Sequence, residues 1–73
     1  MTTYKLSENA RNDVKGSSPA QIHYFVMSSK KADAIVLAAY ISKSVAERNA
    51  RLQRSCVRVG RVQADLAVMP EEG

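Results

Sequence analysis

Residues 32–54 read ADAIVLAAYISKSVAERNARLQR and contain neither glycine nor proline. Alanine, leucine, lysine, arginine and glutamate, which all favour helices, make up much of this segment. Asp33 stands near its start, where the positive end of a helix dipole would stabilise a negative charge. The segment therefore predicts one long central helix. Its first half, residues 34–41, is apolar on nearly every face, so we expect it to be buried against other elements.

The residues before this segment predict a short helix over residues 19–27. Ser18 is a suitable N-cap, and Pro19 suits the first helical position. Ile22, Phe25 and Val26 then fall on one face at helical spacing. The alternative is a strand over residues 21–27, because this stretch is rich in β-branched and aromatic side chains, which suit a pleated surface.

Two interpretations compete for the chain after Arg54. Apolar residues recur there every seven positions, which favours a helix with a break at Gly60. Alternation around Arg58 instead favours a hairpin over residues 56–68, turning at Gly60 and Arg61. We prefer the helix. The expected fold is mainly α, a short helix plus one long central helix, and the alternative is a small α+β domain with a strand at 21–27 and a hairpin at 56–68.

The pattern divides the chain into three parts. Residues 1–17 are mostly polar and predict a flexible N-terminal arm, in which Ser7 could cap a short helix over residues 8–13. Residues 18–69 form a single small folded domain, and residues 70–73 form a short acidic C-terminal tail. A domain of this size has a marginal core, so we expect it to be completed by a partner or by weak dimerisation.

The composition limits which classes of function the protein can have. The chain has 73 residues, and 11 Lys and Arg against 7 Asp and Glu give a net charge of +4, which favours encounters with acidic proteins or nucleic acid. The single cysteine, Cys56, cannot form an internal disulfide, which is typical of a reducing cytoplasm. The longest apolar segment, residues 34–41, is far shorter than the roughly 20 residues of a membrane-spanning helix.

Catalytic chemistry is not expected. His23 and Cys56 could form a base and nucleophile, but no orienting carboxylate lies near either in the sequence. These two residues are also too few for a structural zinc site, which takes four ligands. The glycine patterns of phosphate and dinucleotide sites are absent from the sequence. We therefore expect no enzyme, no metal and no cofactor.

The strongest functional pattern is a series of arginines spaced three or four residues apart. On a helix they would lie mostly within one arc, beside a face with Val45, Leu52 and Val59. No acidic residue interrupts the series, whose members are Arg48, Arg51, Arg54, Arg58 and Arg61.

Arginine suits bidentate contacts with carboxylates or phosphates. The series is open to three interpretations, namely a solvated helix face, a surface that binds a protein, or a nucleic-acid-binding surface on a dimer. A small structural subunit that only completes a partner's core is a further alternative. In the predicted arm, Tyr4, Lys5 and Leu6 place two apolar residues around a cation and could form a docking segment.

The length, the charge and the arrangement of arm, compact centre and arginine series resemble small phage-encoded regulators that bind bacterial RNA polymerase. This resemblance implies a protein that inhibits transcription initiation or promotes antitermination. Its basic residues would then lie near nucleic acid in the transcription complex without reading base sequence. The resemblance assigns a role to no individual residue.

Overall fold

The computed structural model describes residues 2–70, and within them the chain forms five strands and two short helices. The elements in chain order are β1 (Thr2–Leu6), α1 (Glu8–Val14), β2 (His23–Met27), β3 (Ile35–Tyr40), α2 (Lys43–Leu52), β4 (Cys56–Gln63) and β5 (Leu66–Met69). The predicted C-terminal tail lies outside the described residues except for Pro70.

The strands form a closed barrel in the order β1-β3-β2-β4-β5, with β5 pairing back to β1. The β1–β3 pair is parallel, with Lys5 opposite Ile35, and the other four pairs are antiparallel. The first and last strands are neighbours, and Thr2 lies opposite Met69. Each of the five strands therefore has a hydrogen-bonded neighbour on both sides.

Alternate side chains of the strands fill the barrel, and α1 closes one end of it. Phe25 and Met27 from β2, together with Met69 from β5, are fully buried in this interior. Ala10 and Val14 of α1 belong to the same apolar cluster. The helix is fixed at its start by Ser7, whose Oγ accepts a hydrogen bond from the backbone N–H of Ala10 at 3.2 Å and donates to the carbonyl of Leu37 at 3.1 Å.

A second apolar cluster lies on the outside of the barrel. Ala46 and Ala50 of α2 pack on Val26 of β2, with partly buried side chains of β3 and β4 around them. Small alanines let α2 approach the sheet closely. α2 covers the outer surface of β2 and parts of β3 and β4, and the barrel interior covers the inner one, so β2 is apolar on both faces. Ile35 at the start of β3 lies outside this cover and is exposed.

The expectation of a mainly α protein with a long central helix is wrong. Residues 35–40 form β3, and only Lys43–Leu52 are helical in the predicted segment. Residues 34–41 are apolar on both faces of β3, although Ile35 and Ile41 are exposed, and an apolar run of this length does not distinguish such a strand from a buried helix. The predicted short helix at 19–27 is also replaced by a strand, β2.

The structure instead contains the strand and hairpin of the alternative α+β interpretation, with one correction. The hairpin of β4 and β5 turns at residues 64–65, where Ala64 adopts a positive φ of 55°, and not at Gly60 and Arg61. Gly60 lies inside β4, opposite His23. A Cβ atom at this position would lie 2.6 Å from Sδ of Met69 and closer still to the carbonyl oxygen of Val68.

The predicted flexible arm is likewise not an arm in this fold. It contains β1, which closes the barrel between β3 and β5, and α1, which covers one end. The helix that Ser7 could cap is present as α1, and it is held because Ala10 and Val14 pack on the barrel. An isolated helix of this length would be marginal in water.

Candidate functional site

The five arginines of the series do not share one helix, which corrects the predicted stripe. Arg48 and Arg51 are exposed on α2, and Arg54 is exposed in the following turn with a positive φ of 53°. Arg58 and Arg61 lie on β4, three positions apart. Because side chains alternate along a strand, these two point to opposite sides of the barrel wall.

Arg58 belongs to the barrel interior. It lies opposite the buried Phe25, and its guanidinium donates a hydrogen bond to the hydroxyl of Tyr4. Its Cζ atom lies 5.3 Å from the centroid of the Tyr4 ring, within cation–π range. Tyr4 itself is only 5% exposed. This contact therefore joins β1 to β4 across the barrel.

The predicted docking segment is also divided by the barrel wall. Tyr4 and Leu6 are buried in the core, and Lys5 between them is exposed. A partner at the outer surface of β1 would meet Lys5 but neither neighbour. The role of this trio in binding stays a prediction, and the barrel restricts its accessible part to Lys5.

The two most exposed large apolar side chains lie at the end of α2 and just before it, where Leu52 is 77% and Ile41 is 66% exposed. Val45 on α2 is 41% exposed, similar to Val59 and Ile35 on the strands. At about 100° per residue, Val45 and Leu52 lie within about 20° of each other on the helix, well away from the buried Ala46 and Ala50. We call Ile41, Val45 and Leu52, together with Arg48, Arg51 and Arg54, the α2 surface.

The electrostatics of the α2 surface are one-sided. Among the described residues, the ion pair on this helix joins Lys43 Nζ and Glu47 Oε1 at 3.9 Å. No carboxylate in residues 2–70 lies within ion-pair distance of Arg48, Arg51 or Arg54. Glu47 lies one turn before Arg51 and about 40° from it around the helix, so it offsets part of the charge there, and the three arginines leave this surface basic.

A second exposed region is the outer surface of β1, β5 and the end of β4, which α2 does not cover. Lys5 lies between Ile35 and Leu66, and Arg61 lies beside Val68. The Nε–H of Arg61 donates to the carbonyl oxygen of Ala20 at 3.5 Å. We call this region the barrel face, and its outward residues are Thr3, Lys5, Ile35, Arg61, Gln63, Leu66 and Val68. A groove on it is also lined by residues 32–34, which include Asp33 and follow the exposed Lys30 and Lys31.

His23 and Cys56 lie near opposite ends of the barrel. His23 is 1% exposed at the start of β2, with Nε2 at 3.4 Å from Ser17 Oγ and no partner for Nδ1. Cys56 is half-buried opposite Met27 at the other end of β2, and its Sγ donates to the carbonyl of Ser29 at 3.5 Å. Four strand residues, about 13 Å, separate the two levels. The barrel thus keeps these two side chains out of contact.

Three further findings bear on the functional class. Within residues 2–70, no three His, Cys, Asp or Glu side chains are grouped closely enough to hold a metal ion. No helix in this part of the chain is long and apolar enough to cross a membrane. Comparisons with models of protein families, with curated proteins and with solved structures find no match.

Sequence reasoning missed the Arg58–Tyr4 contact and the barrel face. Both depend on which strands become neighbours, and β1 is separated in the chain from both of its partners. One local signal was available, since Val57, Arg58 and Val59 alternate apolar and charged residues as a strand does. If the alternation continues to residue 61, Arg58 and Arg61 point to opposite sides of a strand, so the five arginines cannot form one stripe.

Proposed function

We propose that the protein is a non-enzymatic regulator that binds bacterial RNA polymerase through the α2 surface, and that it inhibits transcription initiation or promotes antitermination. The observation that carries the proposal is the combination of exposed apolar residues with three arginines that have no carboxylate partner in the described chain. The polymerase is chosen because size, charge and layout resemble phage-encoded regulators of that enzyme. Such a regulator acts in the bacterial cytoplasm.

The composition of the α2 surface is more typical of a protein-binding surface than of a solvated one. Leu52 and Ile41 leave most of their apolar area in water, and burying it on a partner is favourable by about 25 cal/mol per Å². Arginine is enriched at protein interfaces, while interface cores are depleted of other charges. Contact with an acidic surface of the polymerase would then compete with a sigma factor or alter the RNA exit path.

The test uses purified bacterial RNA polymerase, as core enzyme and as holoenzyme. The double variant Arg48→Glu/Arg51→Glu should weaken binding at least tenfold, an effect of about 1.4 kcal/mol or more, and should remove any effect on promoter-dependent transcription. Lys43→Glu, on the same helix but on its other side, serves as the matched control. Equal binding of the double variant and the control would refute the α2 surface as the contact.

A second candidate function, binding of single-stranded nucleic acid, is favoured by the barrel itself. The strand order is a circular permutation of the oligonucleotide- and oligosaccharide-binding barrel. If the end of β5 were joined to the start of β1, and the chain began at β4 instead, the two strand orders would be the same. That barrel binds its ligands on its second and third strands, which correspond here to β5 and β1. This is a fold-level analogy.

The barrel face supports this candidate with Lys5 and Arg61, and the exposed Lys30 and Lys31 precede the loop residues that line its groove, among which Asp33 is acidic. Its outward residues include no aromatic side chain on which a base could stack, so contacts would be mainly to phosphates and strongly dependent on salt. Lys5→Glu/Arg61→Glu should abolish binding to a single-stranded oligonucleotide, and Arg48→Glu/Arg51→Glu should not. The predicted dimer with two helical arginine stripes is not retained, because β4 interrupts the stripe.

A further inference from the structure

We infer that the α2 surface binds an acidic amphipathic helix of its partner, packed antiparallel to α2. This rests on the proposed function, because it names the kind of segment that the polymerase, or another protein, would present. Three features carry it, namely the closed barrel, the spacing of the apolar residues on α2 and the position of the arginines along the helix axis.

The closed barrel leaves little room for strand addition at the described strands. A partner strand needs an edge with free backbone N–H and C=O groups, and each of the five strands already has two neighbours. Recognition through side chains is therefore favoured. The exposed apolar side chains of α2 offer a ridge that another helix can pack against.

The apolar residues are spaced for helix packing. Val45 precedes Leu52 by seven residues, which is two helical turns, so these two form one line of about 10 Å along the axis. Ile41 lies before the extended N-cap Ser42 and adds an exposed apolar side chain outside the helix. Leu or Ile side chains at heptad spacing on that helix would fit between these residues.

The arginines define the charge and the direction of the partner helix. Arg48 and Arg51 lie in the second half of α2, Arg54 follows it, and the first turn of α2 contains no acid. Acidic residues are most stable in the first turns of a helix, near its positive end. Only an antiparallel partner places its own first turns beside these arginines. The two helix dipoles then also oppose each other, which is the favourable arrangement.

A second copy of this chain fits the surface poorly. In an antiparallel pair, the arginines of one copy would meet the first turn of the other, which carries Lys43 and no acid. α2 has one acidic residue, Glu47 in its second turn, to set against three arginines, and Lys43 lies 3.9 Å from it. Charge complementarity therefore favours a different, acidic partner over self-association.

The experiment uses two synthetic helical peptides of identical composition, each about five turns long. Both carry leucines at heptad spacing, and glutamates occupy the first two turns in one peptide and the last two turns in the other. The first peptide should bind the full chain about fivefold tighter or more in fluorescence polarisation, since several ion pairs of modest strength add up. NMR shift changes should centre on α2.

Variants separate the possible outcomes. Arg48→Glu/Arg51→Glu should remove the preference for the first peptide, and Lys43→Glu should keep it. Equal affinities of the two peptides, shift changes on the barrel face, or dimerisation of the free chain through α2 would overturn the inference. If polymerase binds through α2 and neither peptide binds, the helical partner is wrong and the proposed function stands. If the first peptide binds and polymerase does not, the proposed function fails instead.

Discussion

Replacing Gly60 with alanine should destabilise the protein severely. The added methyl group would lie 2.6 Å from Sδ of Met69 and even closer to the carbonyl oxygen of Val68. The thioether can move, but that carbonyl belongs to the β4–β5 ladder and cannot move without opening it. Overpacking and loss of one ladder hydrogen bond together cost about 3 kcal/mol. A domain of this size has a free energy of unfolding of roughly 4–10 kcal/mol.

Urea denaturation followed by circular dichroism measures this effect. With a slope of about 1 kcal/mol per M, the midpoint should fall by about 3 M. Gly16→Ala is the matched control, since Gly16 has a positive φ of 80° but nothing within 4 Å of the added atom, so its cost should be only about 1 kcal/mol.

The sign of the Gly60 effect distinguishes the two possible structures of this segment. In a helix interior, alanine is about 1 kcal/mol more stable than glycine, so a helical segment would be stabilised by the same substitution. In the barrel, the substitution has to destabilise. A Gly60→Ala variant that unfolds at or above the urea midpoint of the original chain would refute the close approach of β4 and β5.

Further substitutions test other contacts. Tyr4→Phe should lower the free energy of unfolding by about 1 kcal/mol, because the guanidinium of Arg58 loses its hydroxyl acceptor, and a double-mutant cycle with Arg58→Met should show coupling between the two. Ser7→Ala should cost about 1 kcal/mol in thermal or urea unfolding, because the N-cap of α1 is lost. Arg48→Glu/Arg51→Glu should lower the urea midpoint by about 1 M, because a glutamate at position 51 would stand in the last turn of α2 and one turn after Glu47.

The sequence predicts local features of this fold better than its strand pairing. The cap at Ser7 and the second half of the central segment follow from short-range rules, and α1 and α2 form where those rules apply. Residues 34–41 mislead because their alanines favour a helix, while in the barrel Ala38 and Ala39 are small because α2 and the core approach β3 from its two sides. Apolar residues on both faces of β3, the exposed Ile35 included, remove the alternation by which a strand is recognised.

The candidate site was predictable only in part. Arg48 and Arg51 follow helical spacing on α2, and Arg54 stands in the turn after it. Extending the series to Arg58 and Arg61 required the helix to continue, and the alternation of residues 57–59 already argued for a strand. That Arg58 turns inward to Tyr4 follows from β1 closing the barrel, a contact between distant parts of the chain that no local rule predicts.

The pairing of β1 with β5 has a consequence for how the protein is made. A ribosome synthesises β1 early and β5 last among the described strands, so the nascent chain cannot close its barrel until translation has passed Met69. Until then β1 has only β3 beside it, and strand edges stay open to misassociation. Stalling or premature termination within β5 would therefore yield an aggregation-prone product, and not a slightly shorter functional one.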